Sequence, residues 1–161
     1  MNSTFNKPYR RPPRLSRIWV QRARPIFFVT ICTQNRRPIL NNSLCHNAFL
    51  SFCESSPTLA KVWVGRYVLM PDHLHVFISA EGSVSLARWV ASLKRHLTKL
   101  IKSSRVEAAI WQQGFFDHVL RDGETYSDKW KYVYENPIRA GLIGPGEEWP
   151  FAGEVNRLEW S

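Results

Sequence analysis

His73-Leu74-His75, and far downstream Tyr132 and Asn136, are the residues of this chain whose types and spacing could do chemistry. In a β-strand alternate side chains share a face, so His73 and His75 would point one way while Leu74, Val76 and Ile78 point into a core. Two imidazoles side by side on a rigid sheet can hold a divalent metal. Taken alone, such a pair is more often structural or simply exposed. It also lacks the third nitrogen or sulfur ligand of a structural zinc site, and neither an H-E-x-x-H motif nor a cysteine cluster supplies one. Tyr132 and Asn136 stand four apart, a spacing that places them on one face of a helix. The Asn136 carboxamide oxygen would complete a mixed N/O ligand set suited to Mg2+ or Mn2+, with positions left for water or phosphate oxygens.

Beside such an ion Tyr132 would be a nucleophile. A free phenol has a pKa of about 10 and needs help to attack phosphorus at neutral pH. A metal gives that help mainly at the electrophile, by polarising the scissile phosphate. The product would be a 5′-phosphotyrosine and a free 3′-hydroxyl, and the covalent link preserves the phosphodiester for rejoining without ATP. The competing reading makes Tyr132 one of Trp130, Tyr132, Val133 and Tyr134 that fill a core. Tyr134 is the rival nucleophile, but two residues from Asn136 it faces elsewhere on a helix. His96, His118 and Asp72 read as structural or phosphate-facing.

The elements that must position these groups follow from periodicity and caps. Residues 25–33 read as a strand rich in β-branched and aromatic side chains. Asn41-Asn42-Ser43 can cap a helix from Leu44, with Leu44, Ala48, Phe49 and Phe52 on one face. Residues 61–70 read as a second strand, with Trp63, Tyr67 and Leu69 on one side and Val62, Val64 and Val68 on the other. Pro71-Asp72 makes a tight connection to the histidine strand, His73–Ser79. Ser85 can cap a helix whose Leu86, Trp89, Val90, Leu93, Leu97, Leu100 and Ile101 recur at the helical period. Residues 111–120 read as a loop feeding a fourth strand. A last helix runs from about Glu124 to Asn136, capped by Asp122, with a kink or restart imposed by Pro137 and an end at Gly141. The order strand, helix, strand, strand, helix, strand, helix is that of an α+β, ferredoxin-like sandwich: an antiparallel sheet with helices packed on one face. The other face is then available for the histidines.

The bulk properties agree with a nucleic-acid partner. The 161 residues fit one catalytic domain, 1–161, in which residues 1–24 form a basic, proline-bearing arm. Lys and Arg number 22 against 13 Asp and Glu, a net charge of +9, which argues for a polyanion. The candidate phosphate contacts are Arg10, Arg11 and Arg14 in the arm and Lys94, Arg95 and Lys99 on the second helix. The arm also reads as a solvated tail, and the helix charges as a solvated face. Three cysteines without a C-x-x-C pair make a disulfide framework unexpected. No apolar run is long enough to cross a bilayer, so a soluble, cytoplasmic protein is expected.

Three segments resemble the REP-associated tyrosine transposases, a bacterial branch of the single-tyrosine HUH transposases. They are residues 68–77 (VLMPDHLHVF), 110–122 (IWQQGFFDHVLRD) and 132–143 (YVYENPIRAGLI), with Trp149-Pro150-Phe151 beyond. The resemblance implies a ferredoxin-like fold and Mg2+ or Mn2+ dependence, with His73, His75 and Asn136 as ligands and Tyr132 as nucleophile. Related insertion-sequence enzymes place Gln where this chain has Asn136, a departure that favours the REP-associated branch. The implied substrate is single-stranded DNA folded into REP-like hairpins with a short flanking tetranucleotide. The implied state is a monomer. Two other readings differ in outcome. A non-catalytic nucleic-acid-binding module of ferredoxin-like fold would bind equally well after chelation, and a metal-dependent hydrolase using water would turn over without Tyr132.

Overall fold

The computed structural model describes residues 24–102, 109–120 and 126–158. Four strands, β1 (Ile26–Cys32), β2 (Val62–Leu69), β3 (His73–Ala80) and β4 (Phe116–Val119), alternate with helices α1 (Ser43–Ala60) and α2 (Leu86–Lys102) in the order β1-α1-β2-β3-α2-β4. Helix α3 (Tyr126–Tyr134), the short α4 (Asn136–Arg139) and strand β5 (Ala152–Glu154) follow. The sheet order is β4-β1-β3-β2-β5, and every pairing is antiparallel. Without β5 this is the ferredoxin-like arrangement expected from the element order.

Strands β1, β2 and β3 split their side chains between two cores. Val29, Ile31, Leu74, Val76 and Ile78 face α1 and α2, where they meet Phe49, Cys53, Leu93 and Leu97. The α2 stripe is buried as its period demands, and the Trp89 indole N–H ties the two helices together by donating to Ser56 Oγ. Asn42 caps α1 by accepting from the Cys45 N–H at 3.0 Å. Ala48 and Phe49 are buried and Phe52 packs against the core as expected, but the buried face is rotated slightly, so that Leu44 is exposed and Cys45 and Cys53 are buried as well. A cap fixes where a helix starts, but packing decides its rotation.

The one-face expectation holds for α1 and α2. Helix α3 lies on the opposite face, where Tyr126, Trp130 and Val133 pack with Ile26, Val68, Phe77 and Trp149 in a second, smaller core. Strand β2 serves both cores through an irregularity between Val64 and Tyr67. It puts Val62, Val64, Tyr67 and Leu69 in the first core and Val68 in the second, which corrects the simple alternation read from residues 61–70. Gly65 sits in this irregularity. A Cβ there would lie 2.6 Å from the Tyr126 hydroxyl oxygen and 2.6 Å from Leu158 Cδ1. Glycine thus lets α3 approach close enough for the Arg66 backbone N–H to donate to Tyr126 Oη at 2.9 Å. No helix among the described residues is long and apolar enough to cross a membrane.

Candidate metal and nucleophile site

Strand β3 carries His73 and His75 on the face covered by α3, in register with Cys32 and Thr30 of β1. Their Nε2 atoms are 3.1 Å apart. The other nitrogen of each ring is anchored. His73 Nδ1–H donates to Asp72 Oδ1 at 2.6 Å, and Asp72 Oδ2 accepts from Arg36 Nε at 2.8 Å. His75 Nδ1 meets the Thr30 hydroxyl at 2.8 Å, and its ring stacks on Phe28 with centroids 5.3 Å apart. Asp72 is itself held: its carbonyl accepts from the Thr33 N–H at 2.9 Å. Arg36 reaches it from a 3-10 turn, Gln34–Arg36, in which Asn35 and Arg36 have φ of 54° and 53°. Left-handed backbone at a residue with a Cβ costs on the order of 1 kcal/mol or more, and it persists here beside the histidines.

This geometry fits a metal. With each Nδ1 turned to an oxygen, both Nε2 atoms converge, and an ionised Asp72 assigns the proton of His73 to Nδ1. Two donors about 2.1 Å from one ion lie about 3.0 Å apart at an octahedral right angle, close to the observed separation. Burial holds both rings neutral. It lowers the pKa of His75 to about 3, aided by His73, Arg36, Lys129 and Arg139, and it lowers that of His73 against the opposing pull of Asp72. Among the described residues no group of three His, Cys, Asp or Glu side chains supplies a full ligand set. Among the described residues a further donor would therefore be of another type, such as a carboxamide.

Helices α3 and α4 carry the other two candidate residues. The expected single helix ends at Tyr134 and restarts at Asn136, the position where Pro137 was expected to impose a kink or restart. Gly141 ends the segment with φ of 68°, as expected. Tyr132 is 62% exposed, so it fills no core, whereas Val133 beside it is buried. Among the described tyrosines, Tyr67 and Tyr126 are pushed up to about 12 by burial, and their hydroxyls are engaged by His46 and by the Arg66 N–H. Tyr134 is less exposed than Tyr132 and packs its ring on Trp130, with centroids 5.2 Å apart. Tyr132 is thus the most available phenol among the described residues.

Arg139 joins the two candidates. Its Nη2 donates to the Tyr132 carbonyl and to Asn136 Oδ1, each at 2.5 Å, and its guanidinium carbon lies 4.1 Å from the Tyr132 ring centroid. Lys129, on α3, sits 5.2 Å from the centroid of Phe28, the ring stacked on His75. Arg36, Lys129 and Arg139 therefore ring the histidines with positive charge, which favours an anion there. Sequence reading did not single out these three, nor Thr30 and Phe28. The faint signals were Arg139 one turn past Asn136, and Thr30 on a strand able to pair with the histidine strand.

The candidate phosphate contacts distribute differently. Arg10, Arg11 and Arg14 lie outside the described residues. Lys94 donates to the Gln112 carbonyl at 2.8 Å and to that of Gly114, pinning the loop before β4 onto α2. Arg95 donates to Ser92 Oγ, and Lys99 is exposed. All three stand on α2, which packs on the sheet face opposite the histidines.

Comparison with known proteins supplies the remaining observation. The family model described as "Transposase IS200 like" matches residues 26–136, which include both histidines, Tyr132 and Asn136. A Haemophilus influenzae protein named as a REP-associated tyrosine transposase is 28% identical over 143 residues, covering 79% of this chain and 78% of its own length. An Escherichia coli K12 REP-associated tyrosine transposase is 25% identical over 130 residues, with coverage of 78% and 74%. A solved REP-associated tyrosine transposase bound to a REP hairpin shares the fold with a TM-score of 0.66 at 22% identity, over 80% of this chain and 75% of that one.

Proposed function

This chain belongs to the IS200-like transposase family, and on that premise we propose that it cleaves and rejoins single-stranded DNA at REP-like hairpins through a 5′-phosphotyrosine. The observation that carries the proposal is the convergence of His73 Nε2 and His75 Nε2, 3.1 Å apart, on the sheet face over which the Tyr132 helix packs. Similarity to relatives named as REP-associated tyrosine transposases supports the choice of hairpin substrate.

His73, His75 and the carboxamide oxygen of Asn136 would hold Mg2+ or Mn2+. When bound, such an ion polarises the scissile phosphate and stabilises charge on its oxygens. Asp72 and Thr30 keep the two rings aimed. Thr30 suits both states of His75, because its hydroxyl can donate to a bare Nδ1 or accept from a protonated one. Burial keeps the rings uncharged at neutral pH, so that with the proton on Nδ1 the Nε2 lone pairs are available. Arg36, Lys129 and Arg139 draw the phosphate backbone in. The Tyr132 oxygen then bonds to phosphorus, and the P–O3′ bond breaks with its electron pair on O3′. The phenolic proton leaves to solvent and O3′ takes one up, so the diester charge is conserved. Attack by a 3′-hydroxyl on the phosphotyrosine reverses the step. A monomer, with residues 1–24 as an arm on the DNA, completes the proposal.

The test is a hairpin oligonucleotide carrying the flanks of REP-like elements, incubated with Mn2+ and resolved under denaturing conditions. Wild type should give a protein–DNA adduct, Tyr134→Phe should retain it, and Tyr132→Phe should lose it entirely. Absence of adduct in wild type across such substrates, with binding unaffected by chelation, would instead mark a non-catalytic binding module. Multiple-turnover cleavage by Tyr132→Phe would mark a water-using hydrolase.

A further inference from the structure

We infer that Arg139 is the group that grips the scissile phosphate, held in reserve on the Asn136 carboxamide until DNA arrives; this rests on the tyrosine-transposase reading above. Arg139 Nη2 spends one N–H on the Tyr132 carbonyl and the other on Asn136 Oδ1. Its Nη1 makes only a long contact, 3.4 Å, with Glu135 Oε2. A guanidinium carries five donors, so two are unmet by any described residue. The side chain is 39% exposed, and its charge acts on His75 as well as on Tyr132. One cation therefore touches the candidate nucleophile and the candidate carboxamide ligand, and its field reaches the imidazole pair.

The arrangement sets up an exchange. The oxygen that Asn136 would offer to an ion is the one now accepting from Arg139. A phosphate oxygen is a stronger acceptor for guanidinium than a neutral carboxamide, because charge-assisted pairs are shorter and about twice as strong. A phosphodiester placed beside Tyr132 would draw Nη2–H away from Asn136 Oδ1, and the freed oxygen could turn to the metal. The bond to the Tyr132 carbonyl would keep Arg139 beside the phenol during the change. As Tyr132 attacks, negative charge grows on the non-bridging oxygens, where a fixed guanidinium is most stabilising. Arg139 thus acts as a catalytic residue that couples arrival of the phosphate to completion of the ligand set.

Arg139→Ala and Arg139→Lys test this, each checked for a wild-type-like far-UV spectrum and thermal midpoint. In a Tyr132→Phe background without DNA, Mn2+ titration followed by paramagnetic resonance should show Arg139→Ala binding about threefold or more tighter, because its Asn136 is no longer occupied. With Tyr132 intact, at saturating hairpin DNA and Mn2+, single-turnover adduct formation should slow by about 10²–10³-fold in Arg139→Ala. Arg139→Lys should recover part of that rate, since it keeps charge without the fork. On a hairpin with a methylphosphonate at the scissile position, one stereoisomer should slow wild type and leave little further penalty for Arg139→Ala. A wild-type adduct rate in Arg139→Ala, penalties that multiply on both stereoisomers, or unchanged or weaker Mn2+ binding would each overturn the inference. If wild type forms no adduct at all, it is the tyrosine-transposase reading that fails, and the Mn2+ titration still judges the exchange.

Discussion

The two halves of the candidate site are built on opposite principles. The histidine half is part of the sheet: each ring is substantially buried, bonded at Nδ1 and braced by a neighbouring strand or turn. In the helix half Tyr132 is exposed, and a single guanidinium bridges it to Asn136. A ligand pair must be aimed before the ion arrives, so rigidity serves it. A nucleophile that becomes covalently joined to a long substrate must admit that substrate and later release it, so exposure serves it. On the proposed mechanism, the difference teaches that most of the metal affinity should reside in the sheet, while the helices add one ligand and govern the progress of the reaction.

That division can be broken by substitutions confined to one half. His75→Ala should have the largest effect, weakening Mn2+ binding by more than about 100-fold while the fold survives, as titration calorimetry with a far-UV control would show. Thr30→Val removes the only group bonded to His75 Nδ1 among the described residues, and it should weaken Mn2+ binding by about 10–100-fold. Should Thr30→Val slow adduct formation with Mn2+ affinity intact, the division between halves is wrong. Gly65→Ala forces a Cβ against Tyr126 and Leu158, and should lower stability by about 1–3 kcal/mol in urea melts. It should also slow adduct formation, because α3 carries Tyr132, while Mn2+ affinity changes far less than in His75→Ala, since both imidazoles stay in place. A further effect, spread over several pH units, concerns stability. The folded-state pKa of His75 lies below its unfolded value, so the unfolded chain binds the extra proton as pH falls. The stability of the chelated protein is fully present above about pH 6.5 and declines toward about pH 3, at no more than about 1.4 kcal/mol per unit for this group. Thermal melts in EDTA between pH 7 and pH 4.5 should show the decline, and His75→Gln should flatten it.

Much of the fold was legible because it rests on local rules. The apolar alternation of Leu74, Val76 and Ile78 placed His73 and His75 on one face, and the observed cores divide β3 that way. The α2 stripe and the Asn42 cap followed from helical period and side-chain chemistry. The errors share one cause. Leu44 turned outward, β2 changed face at Gly65, and α3 crossed to the histidine side because each depends on what the element packs against rather than on its own pattern. The short β5 carries no pattern of its own; it exists by pairing with β2.

The site divides in the same way. Residue type and spacing alone determined an imidazole pair on one strand face, because the period of two is set by the backbone itself; the spacing of Tyr132 and Asn136 pointed to one continuous helix face, and the helix instead breaks at Glu135 between them. Tertiary structure alone decided that Arg36 braces Asp72, that Thr30 faces His75, that Tyr126 is buried while Tyr132 is exposed, and that Arg139 clasps Asn136. Most of those relations join residues far apart in the chain, and even the local clasp depends on the helix break at Glu135. Their distances come from how the sheet stacks and where α3 docks, which no local period encodes.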